Sequence, residues 1–431
     1  MKDNVIVGID IGSSKIATII ATTREDGQLH IIGVSTIDSK GLRKGQVVDI
    51  EDAKAAISVS LDAAERMAGS QVSAAFVSVG GSHIASQNSH GVVAVANPEK
   101  EITSEDVHRV VDAAKAINLS SSRQILHVLP RGFIVDGQEG IADPVGMTGV
   151  RLEVDTHIVT GGVTAVRNLE KCVSELGVAV SGLVFNGFAA SSSVLSDTEK
   201  ELGVVLVDIG GGTTDVAIFV EGALSYSGVI PIGAKNITND LAIGLRVSLE
   251  SAEKIKLLLS EPVKAPAMPE NHGKKRSELD ELDLGNLSLP EDIRKVSRKT
   301  LIEGIIKPRL NEIFTMVGLE IKKSGFGGMT PSGLVVCGGG AKTVGVIESA
   351  RRSLAMPVHI GIPSNVSGLV DEILEPTFAA SVGLVQYGVR MMPEETSSSL
   401  FNFSNVGKMS TKLPIKGALG RVLDALKSFM P

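Results

Sequence analysis

The sequence predicts a two-lobed, duplicated α/β fold with a phosphate-binding cleft between its halves, and three observations predict it. Two distant segments are nearly the same: VIVGIDIGSSKIATII, from Val5 to Ile20, and VVLVDIGGGTTDVAIF, from Val204 to Phe219. Each reads as an apolar strand, a tight turn opening on Asp-Ile-Gly, and a second apolar strand. A third glycine-rich turn closes the strand LVVCGGGA, from Leu334 to Ala341. At 431 residues the chain exceeds one ordinary core. Small residues at such turns let a phosphate approach the backbone, with N–H groups pointing at its oxygens. One turn of this kind is a weak signal, whereas two at the starts of two halves imply internal duplication.

The remaining elements follow in order. Leu29 to Val34 reads as a third strand, and Asp52 to Met67 as an Ala-rich helix with apolar residues at helical spacing. Val72 to Val79 is a strand running into Gly80 and Gly81. An excursion from about His83 to Thr160 carries its own strands, Gly91 to Val95 and Ile125 to Pro130, and a helix capped by Thr103 or Ser104 ahead of Glu105 and Asp106. A helix from Ala165 to Leu176, a strand from Val178 to Phe185 and a small-residue helix through Ser193 complete the first lobe. In the second, helices are predicted at Ile237 to Leu245 and Ser248 to Leu259, then an exposed polar loop or hairpin over Glu261 to Pro290. A long helix from Asp292 to Lys323, kinked at Pro308, and a last helix near Thr377 to Met391 end the lobe.

Composition narrows the function. With 43% hydrophobic and 21% charged residues this is an ordinary globular chain. It has no Trp, only two Tyr and a net charge of −7, which predicts no nucleic-acid partner, since neither stacking platforms nor a basic stripe is present. Cys172 and Cys337 read as reduced core thiols. The first residues run straight into a strand, so no signal peptide is expected, and no apolar run reaches the roughly 18 residues of a membrane-spanning helix. His83, His108, His127 and His157 lack zinc-like spacing and read as structural histidines.

The order of the motifs resembles the nucleotide cleft of the actin, sugar-kinase and heat-shock chaperone superfamily. Between the second hairpin and the last glycine turn, Ala-Glu-Lys-Ile-Lys places Glu253 and Lys256 on one helix face. Segments VFNGFAASSSV (Val184 to Val194) and PTFAASVGL (Pro376 to Leu384) stand where the superfamily crosses between lobes. Actin inserts a subdomain between third strand and first helix, where only the short stretch Ser35 to Glu51 lies here. The insertion instead follows Gly81. It contains GGSHIAS, ITSEDVHRVVDAAK and ILHVLPRGFIVDGQEGIADPVGMTGVRLEV. That arrangement is similar to the bacterial cell-division family FtsA, an actin-like (ribonuclease H-like, duplicated) fold with subdomains 1A, 1C, 2A and 2B.

The resemblance implies residues 1–83 and 161–196 as 1A, 84–160 as 1C, 197–227 and 301–392 as 2A and 228–300 as 2B. A flexible linker (393–415) and an amphipathic membrane-targeting helix (416–431) would follow. It implies ATP and Mg²⁺ as ligands. Asp10 and Asp208 would hold Mg²⁺ through its water shell, and Gly12, Ser13, Ser14 and Lys15 would take the β and γ phosphates. Gly210, Gly211, Gly212, Thr213 and Thr214 would do the same from the other lobe, with Asp215 nearby. Glu253 and Lys256 would contact the adenosine, and Gly338, Gly339, Gly340 and Ala341 would lie against the adenine. Many superfamily members carry Gln or Glu where this chain has Asn186. That residue either holds a water or caps a helix, which leads us to expect at most slow ATP turnover.

The tail supplies a separate signal. Leu419, Val422, Leu423, Leu426, Phe429 and Met430 fall on one helical face, with Lys416, Arg421 and Lys427 beside it. From Lys408 to Met430 there are five Lys or Arg and one acid, Asp424. A basic amphipathic segment behind a polar linker reads as an anchor on an anionic lipid surface. The resemblance adds partners: filaments of the chain itself, the FtsZ C-terminal peptide received by 2B, and other division proteins at 1C. It places the protein at the division septum, on the cytoplasmic face of the membrane. Two other readings stay open. A pilus-assembly relative of FtsA would lack the anchor helix, and a sugar or acid kinase would need an acidic catalytic base.

Overall fold

The computed structural model describes residues 5–24, 28–96, 101–261, 280–291, 293–369 and 371–391. In the first half, β1 (Val5–Ile11) and β2 (Lys15–Thr23) form the expected hairpin, with Asp10 opposite Ala17. Strand β3 (Leu29–Asp38) pairs with β2, and a small ladder of β4 (Leu42–Arg43) and β5 (Gln46–Val47) leads into α1 (Ile50–Ala68). That helix starts at Asp49, whose side chain accepts the Asp52 N–H, and stops at Gly69 in the left-handed region at φ 68°. Its buried face (Ala53, Ala56, Ile57, Leu61, Ala64) covers the sheet. Gly33 permits the approach, because a Cβ there would fall 2.6 Å from the Ala64 carbonyl oxygen.

Strand β6 (Ala74–Val79) runs parallel to β1 and leads into the excursion. There β7 (Ala85–Ala94), α2 (Ser104–Ala114), β8 (Arg123–Val135), β9 (Gln138–Ile141) and β10 (Arg151–Gly162) build a sheet of order β7-β10-β8-β9. Of the two predicted caps, Thr103 is the one used. Its hydroxyl accepts the Asp106 N–H, and its own N–H donates to the Asp106 carboxylate in return. These bonds, with the neighbouring Arg109, hold the Asp106 carboxyl down at about 2 against the opposing effect of its burial. The chain returns through α3 (Val163–Ser174), β11 (Ala179–Phe185), α4 (Asn186–Val194) and α5 (Asp197–Leu202).

The second half repeats the plan. Strands β12 (Val204–Ile209), β13 (Thr214–Val220) and β14 (Ala223–Ile230) are antiparallel neighbours, and helices α6 (Ala234–Leu245) and α7 (Leu249–Ser260) follow. Strand β15 (Glu281–Asp283) pairs with β16 (Lys295–Ser297), then come α8 (Arg298–Leu301) and α9 (Lys307–Ser324). The half ends with β17 (Leu334–Cys337), α10 (Val346–Leu354), β18 (Val358–Ile360), β19 (Val366–Gly368) and α11 (Ala379–Met391).

Sheet order exposes the duplication. The first large sheet reads β11-β6-β1-β2-β3-β19 and the second β14-β13-β12-β17-β18. Removing β19 leaves the same path twice: an antiparallel triplet extended by two strands parallel to its first member. The extra strand β19 comes from the second half yet pairs with β3, so the two halves share a sheet. Separate apolar cores lie under each half, one around Ile9, Ile57 and Phe185, the other around Val207, Ile255 and Phe314. Through Arg390 these elements form one compact unit.

Three expectations need correction. The helix predicted from Asp292 begins at Arg298, because Lys295–Ser297 is drawn into pairing with β15. Ahead of Pro308 the helix widens into a π-turn over Ile302–Ile306. Proline has no N–H to give the carbonyl four residues back, and a wider turn accommodates that loss. The third glycine strand ends at Cys337, and Gly339–Lys342 forms a 3₁₀ turn. Within the segment read as an exposed loop, Leu284 is 1% exposed, so its end is tied to the core, while 262–279 lie outside the described residues. The predicted linker and amphipathic helix, 393–431, also lie outside them.

Candidate functional site

A cavity of about 1110 Å³ opens between the halves, lined by both hairpin turns, the N-terminal part of α6, one face of α7 along its length, and the 3₁₀ turn after β17. It gathers Asp10, Gly12, Ser13, Ser14, Lys15, Asn186, Asp208, Gly210, Gly211, Gly212, Thr213, Asp215, Glu253, Lys256, Gly338, Gly339 and Gly340. The two turns are built alike. Gly12 N–H donates to the Lys15 carbonyl at 3.0 Å, and Gly210 N–H to the Thr213 carbonyl at 2.9 Å. Their tips meet so closely that a Cβ on Gly211 would fall 1.9 Å from Ser14 Oγ. At Gly338 (φ 81°) the left-handed backbone and a position 2.1 Å from Asp208 Oδ1 both exclude a side chain.

Charge is where this cavity departs from an ordinary polar cleft. Asp10, Asp208 and Asp215 are 7%, 7% and 2% exposed. Burial raises the Asp10 carboxyl, while Lys15 and the Ser78 hydroxyl, which donates to Asp10 Oδ1 at 2.8 Å, oppose it. Burial and then the neighbouring Asp10 charge push Asp208 up to about 7, against the pull of Lys15. Asp215 is raised well above its ordinary value, by burial first and Asp208 second, against a hydrogen bond from Asn186. Lys15 is held below its usual range by burial, and its Nζ has no hydrogen-bond partner. That Nζ rests 3.8 Å from the centroid of the Phe378 ring.

Three carboxylates that resist ionisation, beside an ammonium with no partner, suit a ligand with an anionic chain and a bound cation. Among the described residues no group of three His, Cys, Asp or Glu could hold a metal ion directly. Asp10 and Asp208, two buried carboxylates lining one cavity, would suit a hard cation that keeps its waters, as Mg²⁺ does. At the other end, Lys256 Nζ donates to Glu253 Oε2 at 2.7 Å and to Thr238 Oγ1 at 2.9 Å, which fixes the predicted pair at the cavity wall.

Two predicted residues do not line the cavity. Thr214 is fully buried with its hydroxyl donating to the Ile232 carbonyl at 2.8 Å, because strand alternation turns it away from Thr213 and Asp215. Ala341 follows the 3₁₀ turn inward and packs in the second core. Asn186 does not cap a helix: it is the first residue of α4, Phe185 is the cap position, and no side-chain cap bond forms. Its amide lies against Gly80, where a Cβ would fall 2.7 Å from Asn186 Nδ2. Both predicted thiols are free and buried.

The sequence reading missed several wall residues. Lys235 Nζ donates to the Ser13 carbonyl at 2.7 Å, joining the halves at the turn tips. Gly45 N–H donates to Ser13 Oγ at 2.7 Å, and Lys342 pairs with Glu375 at 2.9 Å. Ser13 is thus clasped from two directions. Only Lys235 left a signal, since Pro-Ile-Gly-Ala before it marks a helix start facing the second turn.

Duplicated sheets closing on an acidic, glycine-lined cleft define an actin-like fold. A PilM–PilN type IV pilus biogenesis complex is similar to it at a TM-score of 0.63 and 15% identity, covering 89% of this chain and 98% of that one. The ethanolamine utilization protein EutJ from Carboxydothermus hydrogenoformans is similar at a TM-score of 0.51 and 16% identity, covering 90% of this chain and 91% of that one. Residues 81–160 match the family model described as the SHS2 domain inserted in FTSA, and residues 205–383 the model described as cell division protein FtsA. The cell division protein FtsA of Pseudomonas aeruginosa is 39% identical, covering 96% of each chain. Those of Borreliella burgdorferi and Bacillus subtilis are 38% and 37% identical, covering 98% of each chain and 90% and 84% respectively. The chain belongs to the FtsA family of cell-division proteins.

Proposed function

We propose that this chain is an ATP-binding, actin-like division scaffold that polymerises and tethers FtsZ filaments to the cytoplasmic face of the membrane at the septum. The observation that carries the nucleotide part is the unpartnered, buried Lys15 ammonium beside three carboxylates in a glycine-lined cavity. Gly12, Ser13, Ser14 and Gly210 to Thr213 cradle the β and γ phosphates with N–H and hydroxyl donors, and Lys15 supplies the point charge. Asp10 and Asp208 orient the waters around Mg²⁺, which when bound neutralises charge between the phosphates. Glu253 and Lys256 flank the adenosine, and Gly338 to Gly340 leave room for the base. Asp215 and Asn186 stand at the phosphate end, where Asn186 holds a water without being able to take its proton.

The sheets suggest how the rest divides: 1A over 1–83 and 161–196, 1C over 84–160, 2A over 197–227 and 301–392, and 2B over 228–300. In this reading 2B receives the FtsZ C-terminal peptide and 1C meets other division proteins. The spacing of Leu419, Val422, Leu423, Leu426, Phe429 and Met430, with Lys416, Arg421 and Lys427, supports a lipid anchor. One such helix binds lipid weakly, so filaments that present many of them gain avidity.

The test is co-sedimentation with anionic liposomes of the full chain and of a chain ending at Lys416, each with and without Mg-ATP. The full chain should pellet, more so with nucleotide. The shortened chain should stay in solution while binding ATP with the same affinity. Equal pelleting of both chains would refute the anchor, and absence of ATP binding in either would refute the nucleotide cleft.

A further inference from the structure

His127 sits on β8 of the inserted sheet, remote in sequence from both glycine turns, yet it bonds the residue just before one that lines the cleft. The residue is 6% exposed, and its Nε2 accepts the Phe185 backbone N–H at 3.0 Å. Burial holds the imidazole at about 4, so near neutral pH the ring carries no charge and Nε2 keeps its lone pair. The ring has no room to swing. Phe188 meets it edge-on at 5.4 Å between centroids and Tyr387 at 6.3 Å, and those two rings meet each other at 5.9 Å. These aromatics belong to α4 and α11.

Phe185 ends β11 and stands at the cap position of α4. The next residue is Asn186, which lies against Gly80 and lines the cavity together with Asp215. Asn186 has no side-chain cap bond to fix the start of its helix. The only side chain bonded to the peptide before it is the imidazole from the inserted sheet, among the bonds of the described residues. A buried N–H that loses its acceptor pulls its backbone toward another, and this backbone is the junction of β11 and α4.

The geometry points to His127 as a positioning residue for the cleft: its bond to the Phe185 N–H sets the first turn of α4 and so the aim of the Asn186 amide at Asp215 and the phosphate end. Whatever strains β8 of the inserted sheet then changes how a water is held, and not how the nucleotide is gripped. This role rests on the nucleotide reading above.

The experiment compares wild type, Asn186→Ala, His127→Phe and His127→Gln for ATP affinity and for phosphate release in a single turnover with Mg-ATP. His127→Phe keeps a ring and removes the acceptor, while glutamine restores an acceptor to the same N–H. We expect His127→Phe to release phosphate about tenfold more slowly, at the level of Asn186→Ala, with ATP affinity within about twofold of wild type. His127→Gln should regain most of the loss. If the Phe variant does not fold, His127→Asn, one methylene shorter than glutamine, takes its place. Unchanged release in the variants would overturn the role, and so would affinity and rate falling together without rescue by glutamine, the mark of a merely structural residue. A wild type that binds ATP but releases no phosphate also overturns it. A wild type that binds no ATP overturns the nucleotide reading itself.

Discussion

Asp208 illustrates how one residue can cost stability and serve a ligand. Its carboxyl titrates near 4 in the unfolded chain and at about 7 when folded, so the folded state holds its proton more tightly. The contribution of this group to ligand-free stability is therefore full below about pH 4 and is lost as pH rises through about 7, by at most roughly 1.4 kcal/mol per pH unit. Asp10 and Asp215 are raised too and act with the same sign. Asp208→Asn should flatten that decline and raise the melting temperature at pH 8, while Mg²⁺-dependent ATP affinity falls by about tenfold or more. Thermal scans from pH 4 to 8, with a nucleotide titration at each end, measure both. A variant that melts lower than wild type at pH 8 would contradict this electrostatic account.

At the scale of elements, helices α4 and α11 matter most, since they cross beneath the cleft. Gly383 is where they touch: a Cβ there would fall 1.8 Å from the Ala189 carbonyl oxygen. Ser193 Oγ bonds to the Ala379 carbonyl at 2.6 Å, so the crossing is fixed by polar contact as well. Gly383→Ala must push two helix backbones apart. We expect a loss of about 1–3 kcal/mol, read as a lower urea midpoint with unchanged m-value. The same elements show what was legible in sequence. Both hairpins were, because Asp-Ile-Gly between apolar runs is a local signal, and the start of α2 was legible to within one residue, Thr103 or Ser104, the structure choosing Thr103. The π-turn before Pro308 was not: a proline announces a fault in a helix, but packing chooses how the fault is absorbed.

The whole molecule is held by contacts that cross between its halves. Lys235 reaches across to the Ser13 carbonyl, β19 extends the first sheet, and the inserted sheet reaches β14 through Ser86, whose Oγ donates to the Ser227 carbonyl at 2.7 Å. His157 joins that contact with Nε2 2.9 Å from Ser227 Oγ. If Asn186 holds the water in the proposed nucleotide site, its amide lacks the basicity to take the water's proton, and turnover should be slow. Phosphate release by purified protein should stay well under about 1 s⁻¹, the low end of kinase turnover. Faster, substrate-dependent ADP formation would favour a kinase reading instead.

Sequence alone determined the duplication, the positions of the glycine turns and the Glu253–Lys256 pair, because each is written in residues a few positions apart. Tertiary structure alone decided that Asp10, Asp208 and Asp215 share one cavity with a lysine that has no hydrogen-bond partner, that Thr214 and Ala341 turn away from it, that Lys235 reaches the cleft and that His127 bonds the backbone behind it. The physical reason is range. Turn chemistry and helix spacing act over a few residues, whereas burial, and the charge shifts that follow from it, depend on which distant segments the fold brings together.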